Sequence, residues 1–193
     1  VLVDPIATYN FQTLPKQPNI SIVPGPPEKW VAVIPSTITC GETFSLKIKA
    51  EDMWGNPTNQ AVKKIIPKTN QPIKNLPEFI NIKEGDFATV VSGLMVNSAG
   101  ALEIKLHSSD GSLVATCNPS KVFNSSILKN YWGDLHGQSE ETLGTNSATD
   151  YFAFGRDLAF LDACAHQGND FQMTDTFWKA VSYTHLRAHE TCV

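Results

Sequence analysis

Phe44-Ser45-Leu46-Lys47-Ile48-Lys49-Ala50-Glu51 decides the fold class. Apolar residues take every second place and polar ones fill the gaps. This is the period of a strand with one buried and one wet face. The pattern returns on both sides of the run. Trp30-Val31-Ala32-Val33-Ile34 is a short apolar stretch closed by Pro35. Trp54-Gly55-Asn56-Pro57 turns the chain. Phe87 to Val96 predicts another strand or strand pair, with Gly93 as a bulge or bend. Leu102, Ile104 and Leu106 alternate with Glu103, Lys105 and His107. Asp110-Gly111 is a hairpin signal, and Leu113, Ala115 and Cys117 continue the inward face beyond it. Short strands, turns between them and no helical period predict an antiparallel β-sandwich over 30–123.

Composition narrows the function classes. A chain of 193 residues can bury a real core in one or two domains. It is 41% hydrophobic and 18% charged, with a formal net charge of −4. No basic run or aromatic-interleaved Lys/Arg stripe is present, which argues against a nucleic-acid partner. No apolar stretch approaches the ~20 residues that span a membrane. Cys40, Cys117 and Cys164 lack the paired short spacing of a zinc ribbon. A Cys40–Cys117 bridge would need both in one sandwich, and buried free thiols are the simpler reading. Localisation and oligomeric state stay open.

Outside the sandwich the pattern changes. Residues 1–29 are Pro-rich, and Pro24-Gly25-Pro26-Pro27 reads as a stiff linker or strand lead-in. After Asn124-Ser125-Ser126, Ile127 to Leu135 leads as a strand into Trp132-Gly133-Asp134-Leu135-His136-Gly137-Gln138-Ser139. Ser147-Ala148-Thr149-Asp150 predicts a capped helix start, and Tyr151, Phe154, Leu158 and Leu161 follow at helical spacing. Asp162-Ala163-Cys164-Ala165 is the next short strand, delivering His166-Gln167-Gly168-Asn169-Asp170. Thr174 is placed to cap a second helix. Strand, helix and strand in so short a span predict a βαβ unit over 124–180.

Acids, imidazoles and amides thus collect at the ends of two consecutive strands, where α/β proteins gather ligands and metals. His107 reads as a solvated residue on a polar face. His136 and His166 are candidate metal ligands, and neighbouring carboxylates favour Zn²⁺ or Mn²⁺. Asp134 can ligate directly or orient His136, and Asp170 offers a second carboxylate. The alternative is that both histidines are ordinary strand-end residues satisfied by backbone groups.

Two resemblances sharpen these expectations. Ala50-Glu51-Asp52-Met53-Trp54-Gly55-Asn56-Pro57, after an alternating strand, resembles bacterial immunoglobulin-like modules. Such modules space, adhere or pack against a catalytic domain. Tyr131 to Ser139, Gly144-Thr145-Asn146-Ser147, His166 to Gln172 and Thr174 to Trp178 resemble the bacterial domain-of-unknown-function family 3604. That family is in turn similar to the PHP (polymerase-and-histidinol-phosphatase) metal-dependent hydrolases. The resemblance covers about 30–180 and is carried by 131–178. It implies an immunoglobulin-like β-sandwich followed by the truncated start of an α/β PHP-like barrel, with metal ligands at strand C-terminal ends. The implied metal set is Asp134, His136, His166 and Asp170, with Gln138 and Asp170 as catalytic contacts. The implied substrate is a small-molecule ester or phosphoester. The PHP pattern opens with two histidines separated by one residue; His136 matches the first, and Gln138 stands at the second. An acid or histidine common further on is Gly144 here. The motif ending Thr-Asp-His is replaced by His166-Gln167-Gly168-Asn169-Asp170. These departures fit fewer metals, a different metal or lost catalysis. A non-catalytic binding or structural protein is the alternative.

The last residues read differently. Val181-Ser182-Tyr183-Thr184-His185-Leu186-Arg187-Ala188-His189-Glu190-Thr191 resembles a translated sequencing-library adapter of the transposase-tagmentation type, in frame. Residues 181–193 are therefore set aside as non-native. The metal set His185, His189 and Cys192 goes with them. On this reading the chain is a fragment and by itself inactive.

Overall fold

A computed structural model describes residues 2–4, 6–16, 18, 21–168 and 174–179. The 181–193 tail lies outside the described residues. A short ribbon comes first, β1 (Leu2–Val3) paired antiparallel with β2 (Gln12–Thr13). Then follow β3 (Lys29–Val33), β4 (Thr37–Thr39), β5 (Thr43–Glu51), β6 (Pro57–Thr58), β7 (Lys63–Thr69) and β8 (Ile80–Ile82). Next come β9 (Ala88–Met95), β10 (Gly100–Leu102), β11 (Ile104–Ser108), β12 (Leu113–Thr116) and β13 (Ser120–Phe123). The chain continues through β14 (Gly133–Gly137), α1 (Ala148–Asp157) and β15 (Ala163–His166). No helix among the described residues is long and apolar enough to cross a membrane.

The alternating run forms β5, the centre of the first sheet. β5 pairs antiparallel with β3 on one edge and with β9 and β6 on the other. A second sheet runs β12-β11-β7-β8, all antiparallel. A third joins β10, β13 and β4, with β13 and β4 parallel. All three sheets feed one core. Phe44, Leu46, Ile48 and Ala50 from β5 meet Ile65, Leu94, Val96, Ile104, Leu106 and Val122 there. Each fully buried aliphatic side chain contributes about 1.5–3 kcal/mol through water release. The described residues are thus mostly β, in several sheets; these three are layered around one apolar centre, and a second, smaller apolar cluster of Ala148 and Phe152 lies at α1.

Local chemistry explains where the alternation misleads. Gly93 does form a bulge. Leu46 faces Val91 but Phe44 faces Leu94, so β9 carries an extra residue, and Gly93 takes φ +72°. The Leu102–Leu106 run is two strands, not one. It switches sheets at Glu103, whose N–H donates to the Asn70 side chain at 2.9 Å. Beyond the Asp110-Gly111 turn, Leu106 faces Ala115 and His107 faces Leu113, which leaves Val114 unpaired. That bulge inverts the phase: Cys117 is buried as expected, but Leu113 is exposed. His107 is half-buried rather than solvated, and its Nδ1 lies buried without a hydrogen-bond partner. Cys40, Cys117 and Cys164 are free thiols, and burial pushes the Cys117 thiol up to about 12.

Pro24 and Gly25 are tied down as the lead-in to β3. The Gly25 N–H donates to Asp52 at 3.0 Å, Thr58 Oγ1 donates to the Gly25 carbonyl at 2.7 Å, and Gln60 donates to the Pro24 carbonyl at 2.6 Å. Asp52 also accepts the backbone N–H groups of Trp54 and Asn56, each at 2.9 Å. Burial opposes its charge, but Asn56, Gly25 and Trp54 outweigh that and hold the carboxyl down at about 2. The turn after β5 and the lead-in to β3 are therefore closed by one carboxylate.

Beyond Phe123, a Lys129–Glu42 ion pair at 2.6 Å and an Asn130 N–H to Thr37 Oγ1 bond at 3.3 Å tie the chain to β4 and its following turn. β14 and β15 then pair parallel, with α1 between them in sequence. The helix starts where capping chemistry predicts. Asp150 N–H donates to Ser147 Oγ at 3.1 Å, and that hydroxyl donates back to the Asp150 carboxylate at 2.7 Å. Thr174 Oγ1 accepts the Phe177 N–H at 3.2 Å at the head of the helical turn 175–179.

Candidate functional site

The site is assembled by the parallel pair. Gly133 faces Ala163, Asp134 faces Cys164, and Gly137 faces His166. β14 spends three steps where β15 spends two, so Leu135 and His136 fall in a bulge, a device that re-aims side chains at strand ends. His136 and His166 thereby reach the C-terminal ends of adjacent strands. Tyr151 of α1 lies across the pair, its hydroxyl 3.4 Å from the Asp134 carbonyl and 3.3 Å from the Ala165 carbonyl. Burial, and after it the Asp134 carboxylate, pushes this phenol well up. Gly137 is glycine for room, because a Cβ there would enter the Tyr151 ring.

His136 is exposed and held from two sides. Its backbone N–H donates to Asp134 Oδ1 at 2.9 Å. Its Nδ1 lies 2.5 Å from Gln167 Oε1. An amide oxygen only accepts, so Nδ1 carries the proton and the lone pair resides on Nε2. Gln167 is itself placed by the ladder, its N–H donating to the Gly137 carbonyl at 2.8 Å.

His166 is engaged differently. The Gly168 N–H donates to its Nδ1 at 3.1 Å, and its Nε2 lies 2.8 Å from Ser139 Oγ. A backbone N–H only donates, so Nε2 holds the proton and points it at the serine. Ser139 is fully buried. Burial opposes the charge of Glu141, yet the Ser139 hydroxyl and the N–H groups of Glu141 and Ala148 hold its carboxyl below the ordinary carboxylate range. A polar chain thus runs from the end of β15 through Ser139 and Glu141 to the N-terminus of α1, where negative charge is favoured. It closes the 138–147 loop. Ser139 is not prepared as a nucleophile, because His166 offers it a proton rather than a lone pair.

The other expected residues are placed as follows. Asp134 orients His136 through the backbone. Gln138 Oε1 accepts the Thr142 hydroxyl at 2.6 Å inside the loop. Asp170 lies outside the described residues. Among the described residues no three His, Cys, Asp or Glu side chains gather as a metal cluster. Gly144 explains one departure from the PHP pattern. A Cβ there would stand 2.5 Å from the Gln138 carbonyl oxygen, so this loop leaves no room for an acid or histidine at that place. Sequence reasoning passed over Ser139, Glu141, Tyr151 and Gln167. Gln167 had a signal, an amide directly after a candidate ligand; the others act through contacts that spacing does not reveal.

The fit to a divalent metal is partial. His136 presents an available lone pair with its other nitrogen fixed by a carbonyl, as ligating imidazoles do. In this arrangement His166 would have to surrender a hydrogen bond to ligate.

Comparison with known proteins gives little beyond this geometry. No protein-family model matches the chain. It is 26% identical over 157 residues to an uncharacterized protein of Chlamydia pneumoniae, covering 78% of this chain and 25% of that one. The chain therefore spans about a quarter of the length of that relative. Among solved structures it is similar to the D00-D0 domain of Intimin, with a TM-score of 0.38 and 10% identity over 55% of this chain and 52% of that one. It is also similar to a superoxide reductase (neelaredoxin) from Ignicoccus hospitalis, with a TM-score of 0.34 and 13% identity over 50% of this chain and 82% of that one. Likenesses at these scores carry no argument about function.

Proposed function

We propose that the chain is a fragment of a metal-dependent hydrolase acting on a small ester or phosphoester. In this reading 30–123 is an immunoglobulin-like module, 124–180 begins a PHP-like barrel, and 1–29 precedes both. The observation that carries it is His136: a strand-end imidazole whose Nδ1–H is fixed by Gln167 and whose Nε2 lone pair is left for a ligand. His136 would hold a Zn²⁺ or Mn²⁺ ion, with Asp134 orienting it, and Asp170 and His166 are proposed to complete the set. Such an ion, when bound, lowers the pKa of a water and polarises the ester. Gln138 is the proposed contact to substrate or water. Among the described residues only β14, α1 and β15 would belong to such a barrel, and the chain by itself is proposed to be inactive.

Turnover tests the reading. A longer protein containing this sequence should hydrolyse a generic phosphomonoester with added Mn²⁺ or Zn²⁺, and His136→Ala should abolish it. Gln138→His, which restores the two-histidine pattern, should keep or tighten metal binding. Undiminished turnover in His136→Ala would remove the proposed site.

The second reading is a binding or structural protein. It is favoured by His166, whose two ring nitrogens both serve the fold, and by Gly144, where packing excludes a ligand. A protein of this kind would show no turnover in any variant.

A further inference from the structure

The polar face of β5 is partly covered. Lys47 and Lys49 lie on it, and the Lys49 side chain is only 10% exposed, paired with Glu51 at 2.9 Å. What covers this face is the link between α1 and β15. Phe160, 6% exposed, belongs to neither apolar cluster. Its ring centroid lies 5.7 Å from the Lys47 amine and 5.5 Å from the Lys49 amine. Alongside, Phe87 and Ala88 at the head of β9 line one groove with Ala153, Phe154 and Leu158 at α1. β9 is the strand next to β5, so this groove lies beside the Phe160 contact.

The backbone at Phe160 resists this placement. Its φ is +61°, in the left-handed region where a bulky residue is a strained outlier. Just past a helix end, that conformation is normally given to glycine. A large aromatic there is a conflict between local and global preference, and such conflicts persist where packing over-determines them. The packing here is a buried ring with two ammonium groups over it.

We propose that Phe160 is a clamp that docks the β14–α1–β15 unit on the outer face of the sandwich, so that the sandwich fixes the direction of the strand ends. The module is then a platform, not a tether. The clamp does not depend on what chemistry the strand ends perform.

Amide hydrogen exchange on the full chain tests this, in wild type, Phe160→Gly and Phe160→Leu. Phe160→Gly relieves the backbone but removes the ring. Exchange in α1 and β15 should then rise about tenfold or more, while Leu46, Ile48 and Ile104 keep their protection. Phe160→Leu, which keeps apolar bulk, should stay within a few-fold of wild type. Unchanged or slower exchange of α1 and β15 in Phe160→Gly would overturn the clamp. Equal loss in the sandwich and the unit would also overturn it, since Phe160 would then be a shared core residue.

Discussion

His136 Nδ1 lies 2.5 Å from Gln167 Oε1, which joins the ends of two parallel strands through their side chains. The contact sets the imidazole tautomer. Gln167→Leu keeps the bulk and removes the acceptor. Ring nitrogen NMR shifts should show Nδ1–H in wild type and loss of that bias in Gln167→Leu. An identical tautomer in both proteins would mean that Gln167 does not orient the ring.

Ile48 is fully buried where the β5 face meets the common core. Ile48→Ala should cost roughly 2–5 kcal/mol in denaturant unfolding. A cost below about 1 kcal/mol would mean that this face is not the centre of the core.

Asp52 gives the sandwich a defined acid response. An aspartate ionises near ~3.9 in an unfolded chain, and folded Asp52 is held at about 2. With a depressed folded pKa, its ionised contacts stabilise the fold fully above ~4 and lose that contribution as pH falls through about 2. Asp52→Ala should therefore be less stable than wild type at neutral pH, and the difference should close near pH ~2. Unfolding titrations at both pH values check this; a difference that stays constant would show that the carboxylate's charge is irrelevant.

How much of this was legible in the sequence depends on how local the cause is. β5, the Gly93 bulge, the Ser147 cap and the strand–helix–strand order of β14, α1 and β15 rest on period, turn chemistry and capping, and each is written in consecutive residues; the first of these strands runs Gly133–Gly137 rather than from Ile127 to Leu135. β7 went unread because Pro67 interrupts it. It tolerates that proline because β8 pairs only with Lys63 to Ile65, which leaves Pro67 beyond β8's reach. Leu113 was assigned inward because nothing in the run announces the bulge at Val114. The covered lysine face of β5 and the Ser139–His166 contact depend on residues far apart in the chain, so no spacing rule reaches them.

Ser139 links β15 to the start of α1 from a fully buried position. Ser139→Ala removes the hydroxyl that meets His166 Nε2 and withdraws a donor from Glu141. The expected cost is about 1–3 kcal/mol, since one of the lost hydrogen bonds goes to a charged group. Hydrogen exchange should locate the loss in 138–147 and the first turn of α1, with the sandwich unaffected. Uniform protection across wild type and variant would show that the polar chain does not hold the loop.

The central claim is that His136 binds a divalent metal, and elemental analysis addresses it most directly. A longer protein containing this sequence, purified without chelator, should carry Zn²⁺ or Mn²⁺ in wild type and lose it in His136→Ala, with His107→Ala as an unaffected control. Equal metal content in wild type and His136→Ala, or none in either, would contradict the account.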